Sequence, residues 1–595
     1  VIQGNITKRL LVVVFGALSV LQSCVERRDL NENTLIVHML ADPKGLHPTN
    51  NNDGYQRMVF QCTQKRLVAL DLETGKLIPD VLAQLPVLLE DSLSYDCQLR
   101  SDVKWDNGRP LRVEDVLFSF KAIVCPGVNN PDMKSMFGKL RTVEPVAGDS
   151  LRFIVRMKER YFDNASLLSF VILMQPELYD PQNRLRDLPF EQLSDSLASA
   201  EAKQKMAAFA EAFNSPEFTH NPQFMGGLGP YKVKDWQTGS SITLEKKADW
   251  WGSHSRREMD QAGPDRIIFR IIRDMESTML ALKREEVDVS TELSAAALSR
   301  LQQKGYFNDN YQSEYVNSFS YTYMGMNMRP DDSRTPFFVD QRVRRAMAHI
   351  IPVDEIIAVI AKGKATRMAS FVQPGQPDYD SQLIPPAYNL KQARTLLEEA
   401  GWSDTDGDNI RDRIINGKRV SFSFKISYMI SPVTHELMRM IRHELYKAGI
   451  DAQPDPMEFT VFYPKAFAHD FDAMLGSWSS SVLPEDPQQI WHTQSWKDHG
   501  SNFVGFGNAY SDSLIILANR ELNPAKRSLL LQKIQEAVYE EQPYVFLFNV
   551  TRKVAVHRRF GKTKLFAEKP HLFLNSLRLH QVASETPTKT KNTVH

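Results

Sequence analysis

Between Phe422 and Gly449 the spacing of apolar residues changes period, and that change constrains the fold more than any other feature of the chain. Phe422 to Met429 reads as a strand, and Ser431-Pro432 is a helix start, with proline where no backbone donor is needed. Leu437, Met440, Ile441 and Leu445 then share one helical face, Gly449 stops the helix, and a second short strand follows. Strand, helix, strand in this order requires a mixed α/β layer with the helix packed across a sheet. The same punctuation recurs upstream. Val343, Ala346, Met347 and Ile350 keep helical spacing until Pro352, then Ile356, Ile357 and Ile360 continue it to Gly363. A further helix is expected from Leu390 to Ala400, ending at Gly401.

The first half is more strand-like. Leu151 to Val155, Ser241 to Glu245 and Arg266 to Ile272 are rich in β-branched and aromatic residues and are bounded by Gly, Pro or Asp. Residues 185–213 are rich in Ala, Leu, Glu and Lys and are expected to form one or two surface helices. The segment Asn31 to Val37 passes from polar to apolar, so the ordered domain is expected to begin near residue 33. A chain of 595 residues exceeds the size at which a single core keeps growing, so at least two lobes are required.

Address is written at the start. Lys8 and Arg9 precede an apolar stretch from Leu10 to Leu18, and the segment closes as Leu21-Gln22-Ser23-Cys24. A positive start, a short apolar run and a small residue before the cleavage point are the layout of a secretory leader. The Leu-x-Ser-Cys ending is similar to a bacterial lipobox, in which the cysteine sulfur carries a lipid. The expectation is a leader over 1–23, a tether over 24–32 and lipidation at Cys24; an ordinary leader, or a buried apolar helix with an incidental cysteine, is the competing reading. The last residues, 584–595, are polar and expected to be disordered.

Several functions are not indicated. Lys plus Arg and Asp plus Glu both total 72, so there is no electrostatic footprint for nucleic acid. No G-x-S-x-G elbow and no G-x-x-x-x-G-K-[ST] loop occurs, and neither His435-Glu436 nor His443-Glu444 continues to a second histidine at zincin spacing. No enzyme chemistry is expected, and any ATPase must be a separate chain. Cys62, Cys97 and Cys125 would allow one disulfide with one thiol left over, but they serve equally as small buried hydrophobes. Asp404, Asp406, Asp408 and Asp412 alternate at a spacing that could direct oxygens to a structural calcium, with the Ile410 carbonyl as a further ligand. Against this, Asn409 stands where an EF-hand loop has glycine and Ile415 where it has a bidentate acid, and a plain acidic turn explains the run as well. No other cofactor is expected.

Arg100-Ser101-Asp102-Val103-Lys104-Trp105-Asp106-Asn107-Gly108-Arg109-Pro110-Leu111, followed by Glu114-Asp115-Val116, reads physically as a strand, an Asn-Gly turn and a helix opened by acids. It also resembles a signature of solute-binding protein family 5, the oligopeptide and dipeptide receptors of ABC importers. Further blocks follow in the family's order: Gly227-Leu228-Gly229-Pro230-Tyr231, with Leu228 in place of the usual Thr; Trp250-Trp251-Gly252; Gly325-Met326-Asn327 with Val343 to Met347; Ala387 to Trp402; and Phe471-Asp472, Trp478 and Asn502 to Tyr510. The resemblance covers roughly residues 33–582. Trp105, Trp250 and Trp251 are expected to be packing residues.

The resemblance implies an α/β two-lobed clamp of the large peptide-binding type, with mixed sheets flanked by helices and a ligand cleft between the lobes. Lobe I would comprise 33–270 and 543–583, and lobe II 271–542. It implies a monomeric receptor facing the periplasm or exterior that passes a peptide or other small solute to a permease; an envelope sensor or enzyme built on the same clamp is the alternative, with no catalytic group in the sequence to prefer it. In the family a carboxylate shortly after the tryptophan often pairs with the peptide amine, whereas here Trp478 is followed by Ser479, Ser480 and Ser481, then Glu485 and Asp486. Hydroxyls cannot neutralise an ammonium, so either an acid reaches back or the ligand lacks a free amine; a blocked peptide, a metal chelate or a saccharide would also fit. The candidate site is completed by Asn50, Asn51 and Tyr55 of the first loop, whose asparagines a solvated turn explains equally well.

Overall fold

A computed structural model describes residues 28–49, 53–193 and 198–580 of the protein. The leader, Cys24 with most of the tether, Asn50 to Asn52, and the tail 584–595 lie outside the described residues.

One ten-stranded mixed sheet runs through the molecule. Its strands are β1 (Thr34–Met39), β2 (Tyr231–Gln237), β3 (Ser241–Lys246), β4 (Arg266–Ile271), β5 (Val289–Ser290), β6 (Tyr311–Met326), β7 (Ser423–Met429), β8 (Asp451–Met457), β9 (Ala473–Ser479) and β10 (Tyr544–His557). They lie in the order β8-β7-β9-β6-β10-β5-β1-β4-β3-β2. β1 pairs in parallel with β4 from Thr34 opposite Arg266 to Met39 opposite Ile271, and β7 pairs in parallel with β8. The helices that frame the sites are α1 (Gly54–Thr63), α2 (Val113–Val124), α3 (Ala295–Gln302), α4 (Gln341–Ile350), α5 (Val353–Ile360), α6 (Pro432–Lys447) and α7 (Pro524–Glu541). The strand, helix, strand expected around Pro432 is β7-α6-β8, with Ser431 capping α6 through its hydroxyl and Gly449 in the left-handed region at φ 80°.

β6 and β10, 16 and 14 residues long, join the two halves of this sheet. Residues Tyr311 to Asn317 of β6 pair with His557 to Thr551 of β10, and only from Ser320 onward does β9 add to the other edge of β6. Between the halves the β6/β10 register shifts, at Asn317/Tyr321 and again at Thr322/Tyr323. Asn549 pins the break: its Nδ2 donates to the Ser318 carbonyl at 3.2 Å, and its Oδ1 accepts from the Thr366 amide at 3.1 Å. Irregular strand backbone of this kind bends a sheet locally. The expected boundary at 270/271 falls within the first half of the sheet, since α3 and its neighbours pack with Ile36, Tyr311 and Ala555. The expected boundary at 542/543 falls just before β10.

Alternation along the strands gives each half two cores. In the second half, Ala473 and Leu475 of β9 face a core shared with α4, α5 and α6, whereas Met474 faces one containing Trp491 and Val372. In the first half, Val554 and Val556 face Leu35, Val37 and Met58 of α1, whereas Ala555 faces Leu298 and Leu301 of α3. A separate four-stranded sheet (Val87–Leu88, Ser94–Gln98, Arg152–Met157, Leu140–Pro145) carries α2 and has its own core.

The signature blocks are structural, as their chemistry suggests. Gly108 sits at φ 79° in the Asn-Gly turn, buried Trp105 donates its indole N–H to Asp115 at 3.1 Å, and Arg109 grips the same carboxylate at 2.7 and 3.1 Å. The Gly229 amide donates to the Thr63 carbonyl at 2.9 Å, an approach that leaves no room for a side chain. Trp250 and Trp251 both donate to the Leu228 carbonyl, at 2.7 and 3.0 Å. Cys62, Cys97 and Cys125 are free and lie in three different cores, where burial pushes each thiol up to about 12. Among the described residues, no helix is long and apolar enough to cross a membrane.

Candidate functional site

On the side of the crossing strands away from α6, the two halves enclose a cavity of about 640 Å3. Its floor is Asn317 to Phe319 of β6 and Asn549 of β10. One wall comes from Leu72 to Lys76, Phe162 and Asp163, and Leu565 to Ala567; the other comes from Val372 to Asp378, Val482 to Glu485, and the start of α7 up to Arg527. Pro524 at the first turn of α7 and the Asn523 cap, which accepts from the Lys526 amide, start that helix at the cavity rim.

The charged groups around Arg527 dominate the cavity. Its guanidinium donates to Asp378 Oδ2 at 3.2 Å and to the Glu485 carbonyl, and lies 3.5 Å over the centroid of the Phe162 ring. Burial lowers the Arg527 pKa, against the opposing charges of Asp378, Tyr161, Asp163 and Asp486. Burial pushes the Asp163 carboxyl up to about 6. Glu485 is likewise pushed upward by burial, opposed by hydrogen bonds from Ser480 and Gln376. Asp163 and Glu485 therefore face the cavity as carboxyl groups whose ionisation burial opposes, beside the buried guanidinium of Arg527.

The two walls touch at the rim. Tyr161 donates its phenol hydrogen to Asp486 at 2.8 Å, and the Phe162 amide donates to the Asn519 carbonyl at 2.9 Å. Asn519 in turn donates to Asp486 at 2.9 Å. On the other flank the Val482 amide donates to Glu568 at 2.8 Å.

The structure distributes the expected site residues unevenly. Glu485 lines the cavity, and its carboxylate accepts from the Ser480 hydroxyl. Asp486 is engaged in the rim contact with Tyr161. The Ser480 amide donates to the Phe319 carbonyl at 2.6 Å, tying the serine loop to the floor, and the Ser481 carbonyl accepts from Gln376 at 3.3 Å. Ser479 accepts from Ser320 at 3.2 Å across the β6/β9 pair. Trp478 does not line the cavity: it stacks on Phe503 at 5.5 Å between ring centroids and donates to the Tyr544 hydroxyl at 3.3 Å. Tyr55 also stands off the cavity, half-buried on α1 near Glu292 and Arg552, with its phenol pushed up to about 12 mainly by burial. Asn50 and Asn51 lie outside the described residues.

Asp163, Asp378, Arg527 and Asn549 escaped the sequence reading. They come from separate segments with no shared pattern; the local signals near them are the Pro-bounded start of α7 for Arg527 and the Pro374 to Pro377 turn before Asp378.

Away from this cavity, Asp404, Asp406 and Asp412 bring carboxylate oxygens within 4.8 Å of one another, and Asp408 is outside the group. The loop supplies their partners itself: Asp404 accepts from the Gly407 and Asn409 amides, Asp412 from both Thr405 donors, and Asp406 pairs with Arg419 at 3.0 Å.

Comparison with known proteins agrees with this architecture. The family described as bacterial extracellular solute-binding proteins, family 5 (middle) matches residues 76–500. The chain is 25% identical over 472 residues to the oligopeptide-binding protein AppA of Bacillus subtilis, covering 79% of this chain and 77% of that protein. The solved structure of AppA from Bacillus subtilis in complex with a nonapeptide superposes with a TM-score of 0.69 at 22% identity, covering 92% of this chain and 99% of that one. The structure of NikA from Brucella suis in complex with Fe(III)-EDTA superposes with a TM-score of 0.72 at 19% identity, covering 92% and 100%. An α/β clamp with a long mixed sheet, a cavity floored by two crossing strands, and a family match over most of its length together show that this chain belongs to the bacterial extracellular solute-binding proteins, family 5.

Proposed function

We propose that this protein is the receptor of an ABC importer and captures a peptide-like solute in the cavity between its lobes. The observation that carries this reading is the cavity itself, walled by both lobes and floored by the strands that connect them, so that occupancy favours closure. The hinge lies at Ser318 to Ser320 and Asn549 to Thr551, where the β6/β10 register breaks. Glu485 is the acid that meets a ligand amine, because it faces the cavity while Asp486 holds Tyr161. Backbone groups of the Val372 to Asp378 and Val482 to Glu485 loops supply the sequence-tolerant hydrogen bonds that a peptide requires.

The receptor acts as a monomer without a catalytic step. It is held to the membrane by a lipid on Cys24, facing the periplasm or exterior, and hands its solute to a permease driven by a separate ATPase. A second reading, a receptor for a metal chelate, is favoured by the likeness to NikA and by the serine-rich loop. Incubation with a peptide mixture followed by mass spectrometry of the retained ligand tests both. Intact peptides support the first, a retained chelate with no peptide supports the second, and cleavage products would defeat the receptor reading.

A further inference from the structure

A second cavity, of about 830 Å3, lies behind the crossing strands. It is separate from the solute cavity in position. The latter lies on the sheet face shared with Val372, whereas this one is bounded by Leu475 and by α5 and α6 on the opposite face. On the first-lobe side it is bounded by Ser294 to Ala296 at the start of α3. Its floor includes Thr322 of β6 and Phe548 to Thr551 of β10, and Asn549 borders both cavities. The volume is that of a small-ligand site, and the walls from Val359, Met429, Val433 and Leu437 are aliphatic.

Lys553 gives the groove a polarity. Its side chain is half-buried, and its ammonium donates to the Thr551 carbonyl at 2.6 Å. Among the described residues no carboxylate is within ion-pair distance of it. Burial and the nearby Arg552 lower its pKa to about 8, so it still carries charge at neutral pH. Lys362, exposed at the rim, adds a second cation with no ion pair among the described residues. The one acid on the lining, Glu436, is gripped by Arg439 at 2.6 and 3.0 Å. Glu292 pairs with Lys553 as backbone only, and its charge acts on Tyr55 and Lys569. A partly desolvated ammonium on the lining of a largely aliphatic groove is complementary to an anion with an apolar tail, and to neither a cation nor a uniformly polar solute.

We propose that this groove binds a monocarboxylate with a linear apolar chain, of the free fatty acid class, with its carboxylate at Lys553 and its chain along Val359, Val433 and Leu437. Because α3 walls one side and α5 and α6 the other, the bound acid contacts both lobes across the hinge. The site is independent of what the solute cavity takes.

Titration calorimetry of the purified chain with dodecanoate and with dodecanol tests it. The expected result is saturable binding of dodecanoate about tenfold or more tighter than dodecanol, the advantage of a charge-assisted hydrogen bond. Lys553→Met should abolish that advantage while leaving dodecanol binding unchanged. Val433→Trp, at a position that is 53% exposed on α6 and so compatible with folding, should weaken both ligands by filling the groove. Unaltered melting temperatures confirm that the variants are folded. No saturable dodecanoate binding, an undiminished preference for dodecanoate in Lys553→Met, or unchanged affinities in Val433→Trp would each overturn the assignment.

Discussion

The phenol of Tyr161 donates a 2.8 Å hydrogen bond to Oδ2 of Asp486, joining the four-stranded unit of the first lobe to the loop that follows β9 in the second. The Lys139 ammonium lies 3.1 Å from the centroid of the Tyr161 ring, and Asn519 occupies the other oxygen of Asp486. The bond thus acts only when the lobes meet, and it lies at the rim of the cavity between them.

Tyr161→Phe removes this bond and keeps the ring under Lys139. Asp486 retains Asn519, so folding should be little affected while the closed form loses about 1 kcal/mol. Solute affinity should fall roughly fivefold by calorimetry, with a melting temperature within about 2 °C of the parent. An unchanged affinity would remove the bond from the closure mechanism.

Asp163 sets a pH dependence. Its carboxyl is raised from its ordinary value of 3.8 to about 6 by burial, so between those values the folded protein binds the proton that the unfolded chain has released. The contribution to stability is therefore full below 3.8 and is lost as pH rises through about 6. Asp163→Asn should be more stable than the parent at pH 7.5, by about 1 to 2 kcal/mol, and should lose that advantage by pH 4. Melting curves that run parallel over this range would contradict it.

Trp478→Ala should weaken solute binding even though the ring stands off the cavity. The indole stacks on Phe503 and holds the strand end from which Ser480 reaches Glu485. Loss of a half-buried tryptophan should cost about 2 to 3 kcal/mol of stability, read by urea denaturation, together with affinity. Trp478→Phe, which keeps a stacking ring, should recover most of both.

Gly229→Ala tests a close approach. The added carbon would sit 2.5 Å from the carbonyl carbon of Thr63, and because that contact is backbone, the β2 entry or the end of α1 must move. A loss of about 3 kcal/mol or failure to accumulate folded protein is expected, measured by chemical denaturation.

Cys24→Ala should release the protein from the membrane fraction without altering solute affinity, because the cavity is built from residues well beyond the tether. Reduced affinity in the released protein would show that anchoring and capture are coupled.

Legibility in the sequence followed the range of the interactions. The β7-α6-β8 unit was readable because its signals, Ser431 as cap, Pro432 at the first turn and Gly449 at a positive φ, act over a few residues. The Asn107-Gly108 turn was readable for the same reason, whereas the grip of Trp105 and Arg109 on Asp115 was not. The candidate site was legible only in the serine loop and Glu485. Asp163, Asp378 and Arg527 became neighbours through folding of segments more than a hundred residues apart, and a charged residue in such a segment reads as an ordinary surface residue until its partners are known.

The sequence by itself determined the α/β class, the need for more than one lobe and the local stops and starts of the elements, because apolar periodicity and backbone restrictions act within a turn or a strand. Only the tertiary structure decided where the chain crosses between the lobes, that Glu485 faces the cavity while Asp486 latches the rim, and that a second groove lies behind β6 and β10. The crossing and the second groove depend on which face of a long strand each residue takes after the register shifts between β6 and β10, and the placing of Asp486 depends on a contact with Tyr161 in a distant segment; no local pattern records either.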